Sequence, residues 1–153
     1  MRPQSNHGNN GVTTAAYSQG GLRGKMPATL AQIDVVCDDM KAWLALRDLA
    51  HEQFSVTVLA REALVNAVVH GTSPDLGQTI DVQLDLVGDH LVLSVEDPGP
   101  GFGWRDAVAR VAAPHEDHGR GMTVFRSYAS EIHYNDKGNK ITLRKKVDPR
   151  RKQ

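Results

Sequence analysis

The chain has 153 residues and a mass of 16.7 kDa, enough for one domain and too short for two full-sized cores. Hydrophobic residues make up 40%, charged residues 24% and aromatics 5%, and 18 basic residues balance 18 acidic ones, an ordinary globular profile. A strongly basic nucleic-acid binder is excluded as a whole-chain description, no apolar run reaches the ~20 residues of a membrane helix, and the single Cys37 rules out an internal disulfide or a cysteine-rich zinc cluster. A lone cysteine suits a reducing compartment, so the expected location is cytoplasmic.

Residues 1–26 are rich in Gly, Ser, Asn and Gln, and the first acidic residue of the chain is Asp34. Such a composition buries little apolar surface, so a disordered arm is expected there, with the domain spanning 27–147 and a basic tail at 148–153. Residues 28–35 read as a short strand. Asp38 or Asp39 then caps a helix that carries Met40, Trp43, Leu44 and Leu46 to about Ala50. A second helix is expected from about Glu52 to His70, stopped by Gly71 and Pro74. Ile80, Val82, Leu84 and Leu86 alternate with polar residues as a half-buried strand, and Gly88-Asp89 turns the chain into a partner strand from His90 to Glu96. A Gly/Pro loop and an aperiodic segment from Trp104 to His118 precede a helix from about Gly119 to Ala129. Strands near 132–136 and 140–146 close the chain across Lys137-Gly138-Asn139, and eight of the 18 basic residues fall between Lys137 and Gln153. That charge reads as a solvated strand and frayed tail, or as a docking patch for an acidic partner or nucleic acid. Hairpin-linked strands with a few helices predict an α+β, two-layer sandwich with a mixed, mostly antiparallel sheet and helices on one face.

Three segments carry chemistry. Glu62, Asn66 and His70 follow i, i+4, i+8 spacing and climb one side of the second helix, in an arc that also holds Val58, Val65 and Val69. A carboxylate and an amide in an apolar arc need a partner; a bound Mg²⁺ ion is one, and pairing inside a helix buried on both faces is the other. Asp97-Pro98-Gly99-Pro100-Gly101 lets the backbone turn sharply beside a ligand, with Asp97 placed to accept a base amine, though a plain Pro-Gly turn reads the same way. Gly119-Arg120-Gly121 opens a helix whose free N–H groups suit phosphates; unhindered chain entry is the simpler use of those glycines.

In order, E-x-x-x-N-x-x-x-H, D-x-G-x-G and a helix-opening G-x-G resemble the N, G1 and G2 boxes of the GHKL ATP-binding fold, shared by histidine kinases, DNA gyrase and mismatch-repair ATPases. More narrowly, EALVNAVVHG, VEDPGPGF and HGRGMTVFRSYASEI resemble the RsbW-type anti-sigma-factor serine kinases. The resemblance covers roughly 27–147. It implies ATP and Mg²⁺ as cofactors, with Asn66 on the metal and Asp97 on the adenine amino group. Gly99 and Gly101 would shape the adenine loop, and Gly119, Arg120 and Gly121 would cradle phosphates under a lid at about 103–118. Glu62 would be the general base that deprotonates a serine hydroxyl, His70 a phosphate contact or a plain helix-end histidine, and Thr142 a neighbour of the nucleotide, although Gly138-Asn139-Lys140 departs from the family's usual G-T. The implied partners are a STAS-domain anti-anti-sigma protein, a sigma factor and a second copy in a homodimer, with neither nucleic acid nor membrane bound directly. A kinase of this kind and a nucleotide-gated regulator-binding module with little or no kinase activity both fit; Glu62 separates them, since a binding module needs no carboxylate beside the γ-phosphate.

Overall fold

The computed structural model describes residues 13–17, 21–73, 76–101 and 119–149. Six strands form one sheet: β1 (Thr13–Tyr17), β2 (Gly21–Pro27), β3 (Thr79–Val87), β4 (His90–Glu96), β5 (Glu131–Tyr134) and β6 (Lys140–Lys146), in the order β1-β2-β3-β4-β6-β5. Every described pairing is antiparallel, in keeping with the mostly antiparallel sheet expected. The helices are α1 (Leu30–Leu46), α2 (Gln53–Gly71), entered through a 3-10 turn at Ala50–Glu52, and α3 (Gly119–Tyr128).

Register sorts the strand side chains into two faces. Leu22, Leu84, Leu93 and Leu143 line up across four strands, beside Val82, Val95 and Ile141, and all are buried. The helices cover this face, with Trp43 and Leu44 of α1, Leu59 and Leu64 of α2 and Phe125 of α3 in the same core. The opposite face carries Lys25, Asp81, Gln83, Ser94 and Thr142, with Lys25 Nζ 2.7 Å from Asp81 Oδ1. The result is the α+β two-layer sandwich that the hairpin pattern predicts.

Two expectations are corrected near the N-terminus. The arm expected at 1–26 is too long, because β2 is an interior strand with Leu22 2% and Met26 1% exposed. Its glycines gave it the composition of a linker. At Gly21 the glycine serves contact instead, since a Cβ there would overlap the Asp85 side chain on β3. The strand expected at 28–35 is instead the start of α1. Ile33, Val35 and Val36 favour strands by propensity, but the buried set Ile33, Val36, Cys37, Met40, Trp43 and Leu44 has helical spacing, and that periodicity wins. Asp39, expected as a cap, is buried inside the helix.

The residues just after β6 are anchored as well. Lys145, read as part of a solvated basic run, is 7% exposed and donates to Glu52 Oε1 at 2.7 Å and Oε2 at 3.2 Å. Asp148 N–H also donates to Glu52 Oε1 at 3.3 Å, so the residues after β6 are pinned to the entry of α2. The aperiodic segment and lid expected at about 103–118 lie outside the described residues.

Candidate functional site

The core stripe of α2 is Val56, Leu59, Ala60, Ala63, Leu64 and Ala67, at i, i+3, i+4, i+7, i+8 and i+11. Small residues at 60, 63 and 67 let the helix sit close to its neighbours. The arc of Val58, Val65 and Val69 expected around Glu62 is not the core face: the first two are half-buried and Val69 is 55% exposed. Glu62 and Asn66 therefore stand at the margin of the buried stripe, half-buried themselves, and among the described residues neither side chain has a hydrogen-bond partner. The helix is thus not buried on both faces. His70 is exposed in the last turn of the helix. Beside Glu62, Arg61 forms a 2.8 Å ion pair with Asp34 that ties α2 to α1 on the surface.

Asp97 is the first residue past β4, and it is held from three directions. Its N–H donates to the Asn139 carbonyl at 2.9 Å, and its own carbonyl accepts from Asn139 Nδ2 at 2.8 Å. Its Oδ1 accepts the Gly99 N–H at 2.8 Å. The remaining side of the carboxyl group lies against Gly71, where a Cβ would fall inside van der Waals contact of the carboxyl carbon and both oxygens. Burial pushes the Asp97 carboxyl above its ordinary value, against the opposing pull of the Gly99 N–H and the Lys137 ammonium.

The glycines of this loop earn their places by close approach. A Cβ on Gly99 would sit 2.7 Å from the Gly71 carbonyl oxygen. Gly101 has φ +83° and lies over the Lys137 carbonyl, so any side chain there would be both strained and blocked. The D-P-G-P-G segment is thus threaded between the C-terminal end of α2 and the β5–β6 turn. That turn is built by Asn135, whose Oδ1 accepts the N–H groups of Gly138, Asn139 and Lys140 at 2.8, 3.0 and 3.2 Å.

Gly119, Arg120 and Gly121 form the first turn of α3, as expected, and α3 packs against α2 and β5. Thr142 does not join the others. It pairs with Ser94 and His133 on the sheet face turned away from the helices, with its Oγ1 3.3 Å from Ser94 Oγ. Side-chain alternation requires this once Ile141 and Leu143 are buried, so the expected nucleotide contact at Thr142 is withdrawn. Sequence reasoning missed Gly71, taken only as a helix stop, and the Asn135–Asn139 pair, taken only as a hairpin join. An Asn four residues before another Asn across a Gly-containing turn is the one signal that pointed there.

Among the described residues no group of three or more His, Cys, Asp or Glu side chains is placed to hold an ion. No described helix is long and apolar enough to cross a membrane.

An antiparallel sheet covered on one face by helices, with an acidic acceptor set against the end of a polar-edged helix, is the frame of an ATP-binding domain. The model of the histidine kinase-like ATPase domain matches residues 26–145, and the chain belongs to that family. Among known proteins it is similar to an anti-sigma F factor of Clostridium perfringens, 26% identical over 117 residues that cover 71% of this chain and 84% of the relative. The anti-sigma F factor of Clostridium perfringens strain SM101 is 25% identical with the same coverage. Among solved structures it is similar in fold to the histidine kinase domain of the blue-light activated histidine kinase EL346 of Erythrobacter litoralis, at 14% identity and a TM-score of 0.50. That match covers 79% of this chain and spans 61% of the other.

Proposed function

We propose that this chain is an ATP- and Mg²⁺-dependent serine/threonine protein kinase that acts as an anti-sigma factor. It phosphorylates a serine of a STAS-domain anti-anti-sigma protein and, in alternation, holds a sigma factor as a cytoplasmic homodimer. The anti-sigma F factor names of the relatives support the partner class.

The observation that carries the reading is the contact between Asp97 and Gly71, which sets an acidic acceptor at the end of the helix displaying Asn66 and Glu62. At ~1.5 Å of rise per residue, Asn66 lies about 7.5 Å and Glu62 about 13.5 Å back along the axis from Gly71. Base, phosphates and attacking hydroxyl fall in that order. Asp97 accepts the adenine amino group, within a loop that Gly99 and Gly101 keep close to the protein backbone. Gly119, Arg120 and Gly121 offer the phosphates the N-terminal end of α3, whereas His70, one residue before Gly71, falls at the base end of that order and is given no phosphate contact.

Mg²⁺ neutralises phosphate charge when bound. It characteristically takes one or two protein oxygens and completes its shell with phosphates and water, which fits a site whose candidate ligand is the single amide of Asn66. In the transfer, the serine oxygen attacks the γ-phosphorus and the bond to the β–γ bridging oxygen breaks. ADP leaves with that electron pair, and the hydroxyl proton passes to the Glu62 carboxylate. Positioning and charge neutralisation supply most of the rate, as expected for phosphoryl transfer.

The test is transfer from γ-labelled ATP with Mg²⁺ to each STAS-domain protein of the same genome, comparing the native chain with Glu62→Ala. Label on a partner serine, lost in the variant while ATP still binds, supports the kinase. ATP binding with no label on any partner overturns it in favour of a nucleotide-gated binding module.

A further inference from the structure

The β4–β6 ladder runs in register to Glu96 opposite Lys140, and Asp97 lies one step beyond, opposite Asn139. A regular antiparallel pair would exchange two backbone hydrogen bonds at such a position. Here only one is made between backbones, from Asp97 N–H to the Asn139 carbonyl. The second comes from a side chain, Asn139 Nδ2 to the Asp97 carbonyl. Asn139 in turn is not free to swing. Its Oδ1 accepts from Asn135 Nδ2 at 2.7 Å and its N–H donates to Asn135 Oδ1 at 3.0 Å. The chain of contacts Asn135–Asn139–Asp97 fixes the peptide groups on both sides of the Asp97 Cα. With Gly71 closing one side and the Gly99 N–H holding Oδ1, the carboxylate keeps a single orientation.

We propose that Asn139 is a positioning residue for the Asp97 carboxylate and, through it, sets selectivity for a base that presents an exocyclic amine. This rests on the reading of the site as a nucleotide site. Truncating Asn139 removes the donor to the Asp97 carbonyl and the acceptor of Asn135 Nδ2, and leaves the bonds made by its own N–H and C=O. Asp97 then retains its charge but samples several directions, so a ligand that uses the carboxylate loses affinity and one that does not use it loses none.

The experiment measures binding of ATP, and of a purine nucleoside triphosphate lacking the exocyclic amine, by calorimetry. The proteins are the native chain, Asn139→Ala, Asp97→Asn and the double variant. The native chain is expected to favour ATP, and Asn139→Ala to bind ATP about tenfold more weakly with the amine-free analogue unchanged. The double variant should match Asp97→Asn within about twofold, because the two residues act through one carboxylate. Equal weakening of both ligands would mean that Asn139 supports the fold and nothing more. Unchanged ATP binding in Asn139→Ala overturns the proposal directly. A native chain that binds neither ligand sinks the nucleotide reading, and one that binds both equally sinks the role of Asp97; either result takes the positioning role with it. Should Asn139→Ala fail to fold, Asn139→Asp keeps the acceptor for Asn135, removes the donor to Asp97 and is read the same way.

Discussion

Gly71 and Asp97 lie so close that no side chain fits between them. A Cβ on Gly71 would sit 2.6 Å from Asp97 Oδ1 and nearer still to the rest of the carboxyl group. Gly71 is the last residue of α2 and its φ is not among the positive values, so its lack of a side chain answers to space rather than to backbone conformation. Helix and loop are locked at one point, where Gly71 meets the Asp97 carboxyl group.

Gly71→Ala separates space from conformation. Alanine favours a helix interior over glycine by about 1 kcal/mol, but Gly71 ends α2 and a methyl there must displace a carboxylate held by the Gly99 N–H, so the fold is expected to survive with its melting temperature unchanged or slightly lower. The new methyl must push the Asp97 carboxylate aside, and ATP affinity is expected to fall about tenfold or more, equivalent to roughly 1.4 kcal/mol. Calorimetry beside a thermal melt checks both. Full affinity in a folded Gly71→Ala would show that the carboxylate does not touch the ligand.

The raised Asp97 value gives a pH dependence with a definite sign. Burial, its largest cause, favours the protonated carboxyl, so Asp97 becomes neutral at a higher pH than an exposed aspartate. Nucleotide affinity should therefore begin to fall while the pH is still above the ordinary value of 3.8, as the acceptor gains a proton. For folding the sign is opposite. A folded value above the unfolded one contributes stability that is present below 3.8 and is lost as pH rises through the folded value. An ATP titration series from neutral to mildly acidic pH, with Asp97→Asn as the reference, checks this. Parallel curves for the two proteins would exclude Asp97 as the titrating group.

What was legible in the chain was whatever a short window holds. The i, i+4, i+8 set on α2, the turn after β4, the two hairpins and the helix opening at Gly119 are local patterns, and the structure has each where its pattern lies. The face of Thr142 followed from the same kind of pattern, because Ile141 and Leu143 share one parity, but the resemblance led to the opposite expectation. What escaped depends on partners far along the chain. Gly71 matters through Asp97, 26 positions on, and Asn139 through the same residue, 42 positions back. Strand β2 escaped because its neighbours β1 and β3, rather than its own composition, make it a strand.

The N-terminal segment consequently bears weight. Deleting residues 1–27 removes β1 and β2, takes Leu22 and Met26 out of the core and leaves β3 as an edge. Burial of two such side chains stabilises by about 3–6 kcal/mol, a large share of the 5–15 kcal/mol typical of a domain. The truncated chain is expected to melt well over 10 °C lower or to be insoluble. Met26→Ala alone should cost about 2–5 kcal/mol in urea denaturation. A truncation that melts like the full chain would mean that β2 is not part of the folded core.

The buried pair Glu52–Lys145 makes the last prediction, and its logic turns on asymmetry. Glu52 is fully buried on the turn that opens α2, and Lys145 reaches it from β6 while also contacting the Lys146 carbonyl and Asp148. Lys145→Met keeps the aliphatic bulk but leaves the carboxylate buried with, among the described residues, only the Asp148 N–H at 3.3 Å. The expected loss is about 3–5 kcal/mol, because an uncompensated charge in the interior keeps its desolvation penalty. Adding Glu52→Leu should recover most of that loss, since a matched apolar pair has no charge to desolvate. Chemical denaturation of the two single variants and the double variant measures the coupling directly. Additive losses would mean that the two side chains are not paired in solution. Recovery in the double variant would show that the pair fixes how β6 meets α2 without adding net stability, and ATP binding by that variant would then report whether the α2 end near Gly71 feels the change.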